Sequence, residues 1–152
     1  MAAPTPPRIS TSLTDTTRES SIQATEKFGE LVNGGRFDAF PEVVAPDCHD
    51  HDPAPGQHMG PEGYKAFFTE LRTAFPDMQV EVKKLVADGD SVAFAYTLTG
   101  THQGDFNGHK PTGKAIKVRG MQIGRFVDGK MVERWGSSDE LGILKQIGAI
   151  EG

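Results

Sequence analysis

The chain has few of the features that would decide a function at once. It has one cysteine, Cys48, among 152 residues, so no internal disulfide framework is possible and a reducing compartment, the cytoplasm, is expected. No apolar run approaches the length of a membrane span. Residues 1–17 contain no apolar core of a secretory signal, and their Pro, Ser and Thr content predicts a mobile N-terminal tail over residues 1–14. Basic clusters are missing too. A net charge of −5 argues against non-specific nucleic-acid binding. Neither G-x-G-x-x-G nor a P-loop occurs, so no nucleotide is indicated. There is no internal repeat, and the length suits one domain, residues 15–152, around one core.

Apolar spacing is informative. Residues 14–35 carry Ile22, Thr25, Phe28, Leu31 and Val32 at helical intervals and stop at Gly34-Gly35. Residues 36–47 read as a short helix or turn, and Cys48–Asp52 as a short strand followed by a Pro/Gly loop. Pro61 opens a second helix with Tyr64, Phe67, Phe68, Leu71 and Phe75 on its apolar stripe. Alternating strands follow, then a last short helix behind Ser138 or Asp139 as N-cap. Helices first and antiparallel strands second is the order of an α+β domain, with helices on one side of a curved sheet and a cavity between them.

The richest stretch runs from Arg119 to Asp139. Asp128-Gly129 predicts a two-residue hairpin turn. A regular ladder from that turn pairs Phe126 with Met131, Gly124 with Glu133 and Gln122 with Trp135. One face then collects Gln122, Glu133 and Trp135 beside the gaps left by Gly120 and Gly124, which is the composition of a small-molecule pocket. Glu133 in such a dry pocket would have a raised pKa and serve as a base near neutral pH. Gln122 would donate to a developing oxyanion. Phe67, Phe75 and Trp135 would form an apolar wall, with ordinary core packing as the alternative. The opposite face carries Ile123, Arg125, Val132 and Arg134 and is the expected dimer interface.

His102 is either a second acid/base group or the anchor of the Gly100–Gly104 turn. Arg119 reaches the pocket if Gly120 is a bulge, and is otherwise a solvated charge. Asp139 is a helix cap or a pocket acid. His49, His51 and His58 raise the question of zinc, but nothing is spaced like a known zinc motif, so no metal is expected. Cys48 has no activating neighbour that would make it a nucleophile.

A set of short matches runs through the chain in order. It includes His51-Asp52-Pro53, Gly60-Pro61-Glu62-Gly63, Ala74-Phe75-Pro76-Asp77, Gly100-Thr101-His102, Pro111-Thr112-Gly113-Lys114, Asp128-Gly129-Lys130, Glu133 with Trp135, Asp139, and Gln146-Ile147-Gly148. On these residues the chain resembles the SnoaL-like polyketide cyclases, or ester cyclases, of the nuclear-transport-factor-2-like superfamily. The resemblance implies a cone-shaped, curved antiparallel sheet wrapped around N-terminal helices, and often a homodimer. It implies intramolecular aldol closure of a hydrophobic polyketide-like ester, with no cofactor or metal and an acidic side chain as acid/base. Glu133 and Asp139 match the acidic C-terminal region, and His51 would lie at the cavity mouth. Two positions depart from the pattern: Arg134 stands where histidine is common, and Gly136 where an acid often follows the tryptophan. A member of this superfamily that binds a small molecule without transforming it is the alternative.

Overall fold

The computed structural model describes the backbone of residues 5–151 and the side chains of residues 16–151. The expected tail over residues 1–14 has no described side chains. Helix α1 spans Thr5–Gly34. From Thr16 onward its apolar line, with Ala24, Leu31 and Val32 buried and Phe28 packed against the core, lies on the sheet. It ends because Gly35 turns left-handed (φ 69°), which lets the Arg36 amide reach the Leu31 carbonyl at 2.9 Å. Arg72 closes the same end by donating from Nη2 to the carbonyls of Val32 and Asn33.

A 3-10 turn at Phe37–Glu42 leads into strand β1, Val44–Asp50. Helix α2, Pro61–Ala74, starts on its proline as expected. Strands β2 (Gln79–Asp88), β3 (Ser91–Thr101), β4 (Ala115–Val127) and β5 (Lys130–Ser138) follow, then helix α3, Glu140–Gln146. The sheet order is β1-β5-β4-β3-β2. Four strands form an antiparallel meander, and β1 joins its edge parallel to β5. Val92, Leu98, Ile116, Val118, Phe126 and Met131 are buried under the helices, which defines the inner face of the α+β cone. Phe28 and Phe37 stack on Phe40, and Phe68 meets Phe40 edge-on, in one aromatic cluster between the helices.

The Asp128-Gly129 turn has both residues at positive φ, 51° and 77°, and Val127 pairs with Lys130 and Phe126 with Met131 as expected. The ladder then slips by one residue. Arg125, not Gly124, faces Glu133, because Val132 is an extra residue in β5. The β1 side is irregular at the same level: Val44 pairs with Met131 and His49 with Glu133, and Pro46 lies between with no N–H to offer. A one-residue slip sends every later side chain of the strand to the other face. The expected register is therefore corrected beyond Met131. Arg134 and Gly136 point inward with Gln122, while Glu133 and Trp135 point outward with Arg125 and Ile123.

Candidate functional site

Strand β1 alternates at its C-terminal end, so His49 and His51 fall on the outer face and Asp50 between them turns inward. Parallel pairing sets Asp50 beside Arg134 of β5. Arg134 Nη1 donates to both Asp50 oxygens at 3.1 and 3.2 Å, and Arg134 Nε donates to Gln122 Oε1 at 2.8 Å. Tyr64 Oη of α2 donates to Asp50 Oδ2 at 2.9 Å, Gln57 Nε2 to the same oxygen at 3.3 Å, and the Asp52 amide to Oδ1 at 2.9 Å. Three side chains, from the following loop, α2 and β5, thus meet at the Asp50 carboxylate, and Gln122 of β4 joins them through Arg134.

The electrostatics follow from this packing. Burial pushes the Asp50 pKa up, but the Arg134 charge and the donors from Asp52, Tyr64 and Gln57 outweigh it and hold the carboxyl below its ordinary value. Tyr64 moves the other way: burial, then the neighbouring Cys48 and Asp50, raise its phenol, so it stays a donor. Burial also raises Tyr96, and it pushes the Cys48 thiol up to about 11, which removes its thiolate at neutral pH. A cleft of about 130 Å³ opens beside the cluster, bordered by Asp50, Gln57, Tyr64, Cys48 and His58.

The gaps expected at Gly120 and Gly124 are filled. The Tyr96 ring lies over Gly120 so closely that a Cβ there would overlap its hydroxyl, and Phe126 and Met131 cover Gly124. Gly136 is covered in the same way by the Arg134 guanidinium.

Glu133, His51 and Trp135 do come together, but on the outer face. Glu133 Oε2 lies 2.9 Å from His51 Nε2, and Arg125 Nε donates to Glu133 Oε1. The His51 ring stacks on Trp135 with centroids 4.5 Å apart and planes within 5°. The hydrogen bond with His51, then the one from Arg125, lowers the Glu133 pKa. This reverses the raised value expected of a base in a dry pocket, because the bulge at Val132 takes Glu133 out of the cone.

The remaining candidates are dispersed. His102 is buried just after β3, accepts from the Thr112 amide at Nδ1 (3.2 Å) and packs on Phe75, so its ring ties down the loop before β4 and not the Gly100–Gly104 turn. Phe75 is core, and Phe67 is partly exposed on α2. Gly120 is not a bulge, since β3 and β4 pair without interruption, so Arg119 stays on the exposed face. Asp139 caps α3, accepting from the Gly142 amide at 2.8 Å. Among the described residues, no three His, Cys, Asp or Glu side chains are placed to share a metal ion, and no helix is long and apolar enough to cross a membrane. Gln122 alone among the expected pocket residues joins the inner cluster. Asp50, Tyr64 and Arg134 were missed as its members. The alternation of His49-Asp50-His51-Asp52 was the available signal for Asp50.

Comparison with known proteins adds a frame to this geometry. The family model described as SnoaL-like polyketide cyclase matches residues 22–147. The chain is 27% identical to the aklanonic acid methyl ester cyclase DnrD of Streptomyces peucetius, over 85% of this chain and 91% of that one. It is 29% identical to the nogalonic acid methyl ester cyclase of Streptomyces nogalater, over 76% and 88%. Among solved structures, TsrD from Streptomyces laurentii superposes with a TM-score of 0.79 at 26% identity, over 88% of this chain and 98% of that one.

Proposed function

The chain belongs to the SnoaL-like polyketide cyclase family, and from that premise we propose that it performs acid/base ring closure or a related isomerisation on a hydrophobic carbonyl compound, with Asp50 as base. The observation that carries this reading is the inward Asp50 carboxylate, side chain 7% exposed, bridged to Arg134 and Tyr64 beside the cleft. A carboxylate held low is a weak base. It matches a carbon acid whose proton is already loosened by two flanking carbonyls. Asp50 takes that proton, the carbanion attacks a ketone of the same molecule, and the new alkoxide takes a proton back from Tyr64, which recovers one from Asp50. The step balances without oxidant or reductant and calls for no cofactor.

The test uses an aromatic β-keto methyl ester that also carries a ketone within reach of its carbanion; the relatives' names indicate the methyl ester. Aldol closure conserves mass, so product appears as a new chromatographic peak at unchanged mass. Asp50→Asn should abolish the peak; full turnover by that variant would remove Asp50 from the mechanism. A second reading, binding without chemistry, is favoured by the donors that already occupy both Asp50 oxygens. It predicts that the ester raises the melting temperature and is recovered unchanged.

The outer face is the proposed homodimer surface. Met121, Ile123, Val127 and Trp135 are all exposed there around the Arg125–Glu133 pair, and exposed apolar side chains grouped with charges on a sheet face suit a partner surface.

A further inference from the structure

One donor on the inner face is uncommitted. Arg134 gives Nε to Gln122 and Nη1 to Asp50, and among the described residues its Nη2 donates to nothing. The guanidinium occupies the space a side chain on Gly136 would fill: a Cβ there would overlap Nη2 and stand 2.6 Å from Cζ. Gly136 is not among the positive-φ glycines, so glycine is required here by space and not by backbone shape. The guanidinium cannot swing aside without losing both of its anchors. It is also the open member of its pair, 20% exposed against 7% for Asp50.

We propose that Arg134, seated over Gly136, is a catalytic residue whose Nη2 receives the substrate oxygen that becomes negative as the enolate forms. The inference rests on the reading of Asp50 as base. As the carbon–hydrogen bond breaks, the proton goes to Asp50, the bonding pair becomes the carbon–carbon double bond, and the carbonyl π pair moves to oxygen. A fixed guanidinium donor aimed at that oxygen stabilises it most when its charge is greatest. The planar fork is already held by two other partners, so little ordering remains to be done. Local charge favours an oxygen that is neutral before reaction. Asp50 already balances Arg134, and a second carboxylate, Asp52, accepts from the Gly136 amide at 2.9 Å.

The experiment follows α-hydrogen exchange of methyl benzoylacetate, a neutral aryl β-keto ester whose exchanging carbon lies between two carbonyls, in deuterium oxide by proton NMR across pH. Wild type should exceed buffer, and Asp50→Asn should not. Arg134→Lys keeps a charge beside Asp50 but removes Nη2. It should lower the plateau rate at least tenfold while leaving the midpoint of the acid limb in place. Gly136→Ala, which keeps every functional group but unseats the guanidinium, should lose a similar factor. Wild-type plateaus in both variants, with Asp50→Asn inactive, would overturn the role of Arg134 and leave Asp50 standing. No acceleration by wild type would overturn both. Circular dichroism establishes folding; should Arg134→Lys not fold, Gly136→Ala decides the question.

Discussion

Glu133 stands opposite Arg125 across the β4–β5 hairpin, and its two oxygens are divided between Arg125 Nε and His51 Nε2. One inserted residue, Val132, produces this arrangement. Without it Glu133 would face Gly124 inside the cone. With it, the inward positions pass to Arg134 and Gly136, the two places where the chain departs from the pattern it otherwise resembles.

Glu133→Gln should therefore act on stability more than on turnover. The His51 and Arg125 hydrogen bonds hold the Glu133 carboxyl below its ordinary pKa. A depressed pKa stabilises the fold above the unfolded value, about 4.3 for glutamate, and that contribution is lost as pH falls through the lower folded value. The variant should melt below wild type at pH 7, with the gap closing in acid below the carboxylate range. Turnover should stay within about twofold, since surface changes away from a site have small effects. Melting curves across pH and a single rate comparison check both parts; a large rate loss with an unchanged melting profile would return Glu133 to the chemistry.

Asp50→Asn should lose stability as well as activity. Arg134 would keep a polar neighbour but lose its charged one, and leaving a buried donor poorly matched costs about 1–3 kcal/mol. The Asp50 carboxyl is also held below its ordinary value. Its contribution is thus complete above the unfolded aspartate pKa of about 3.9 and disappears as pH drops through the folded one. Urea unfolding at pH 7 and in acid should show the wild-type advantage shrinking. An advantage that persists undiminished at low pH would contradict the ionised Asp50–Arg134 pair.

What was legible in the sequence was what nearby residues decide. The Asp128-Gly129 turn, Pro61 at the start of α2 and the Gly35 stop of α1 depend on backbone freedom over a few residues. The α+β order of elements and the even face of β4 follow from periodicity. The bulge at Val132 does not. It lies where β5 meets a parallel partner some eighty residues earlier in the chain, at a level where Pro46 cannot complete a ladder. Alternation therefore kept Glu133 and Trp135 together but gave them Gln122 and Met131 as companions, where the structure gives Arg125, Ile123 and His51 on the other side of the sheet. Asp50 was hidden for a related reason: its partners Tyr64 and Arg134 are brought to it only by the docking of α2 and β5.

Asp139 can be separated from the chemistry by two substitutions. Its carboxylate accepts from the Gly142 amide at the start of α3. Removing such a cap costs about 0.5–2 kcal/mol, whereas asparagine caps nearly as well. Asp139→Ala should lower the unfolding free energy by that amount, and Asp139→Asn should be close to wild type in both stability and turnover. A proton-transferring Asp139 would instead lose turnover in the asparagine variant while remaining fully stable.

The outer face gives the last expectation. Met121 is 65% exposed and Ile123 45%, beside the Trp135–His51 stack and the Glu133–Arg125 pair. The proposed homodimer would cover these side chains, and a charge placed among them would be desolvated without a partner on association. Glu at position 123 would also stand across from Trp135 in the same subunit, on the side of the sheet away from Asp50, so the inner cluster is left as it is. Ile123→Glu should shift the molar mass measured by light scattering from two chains to one, with unchanged far-ultraviolet circular dichroism. Wild type that already scatters as a single chain at high concentration would remove the dimer. A variant that stays dimeric would move the interface to another face.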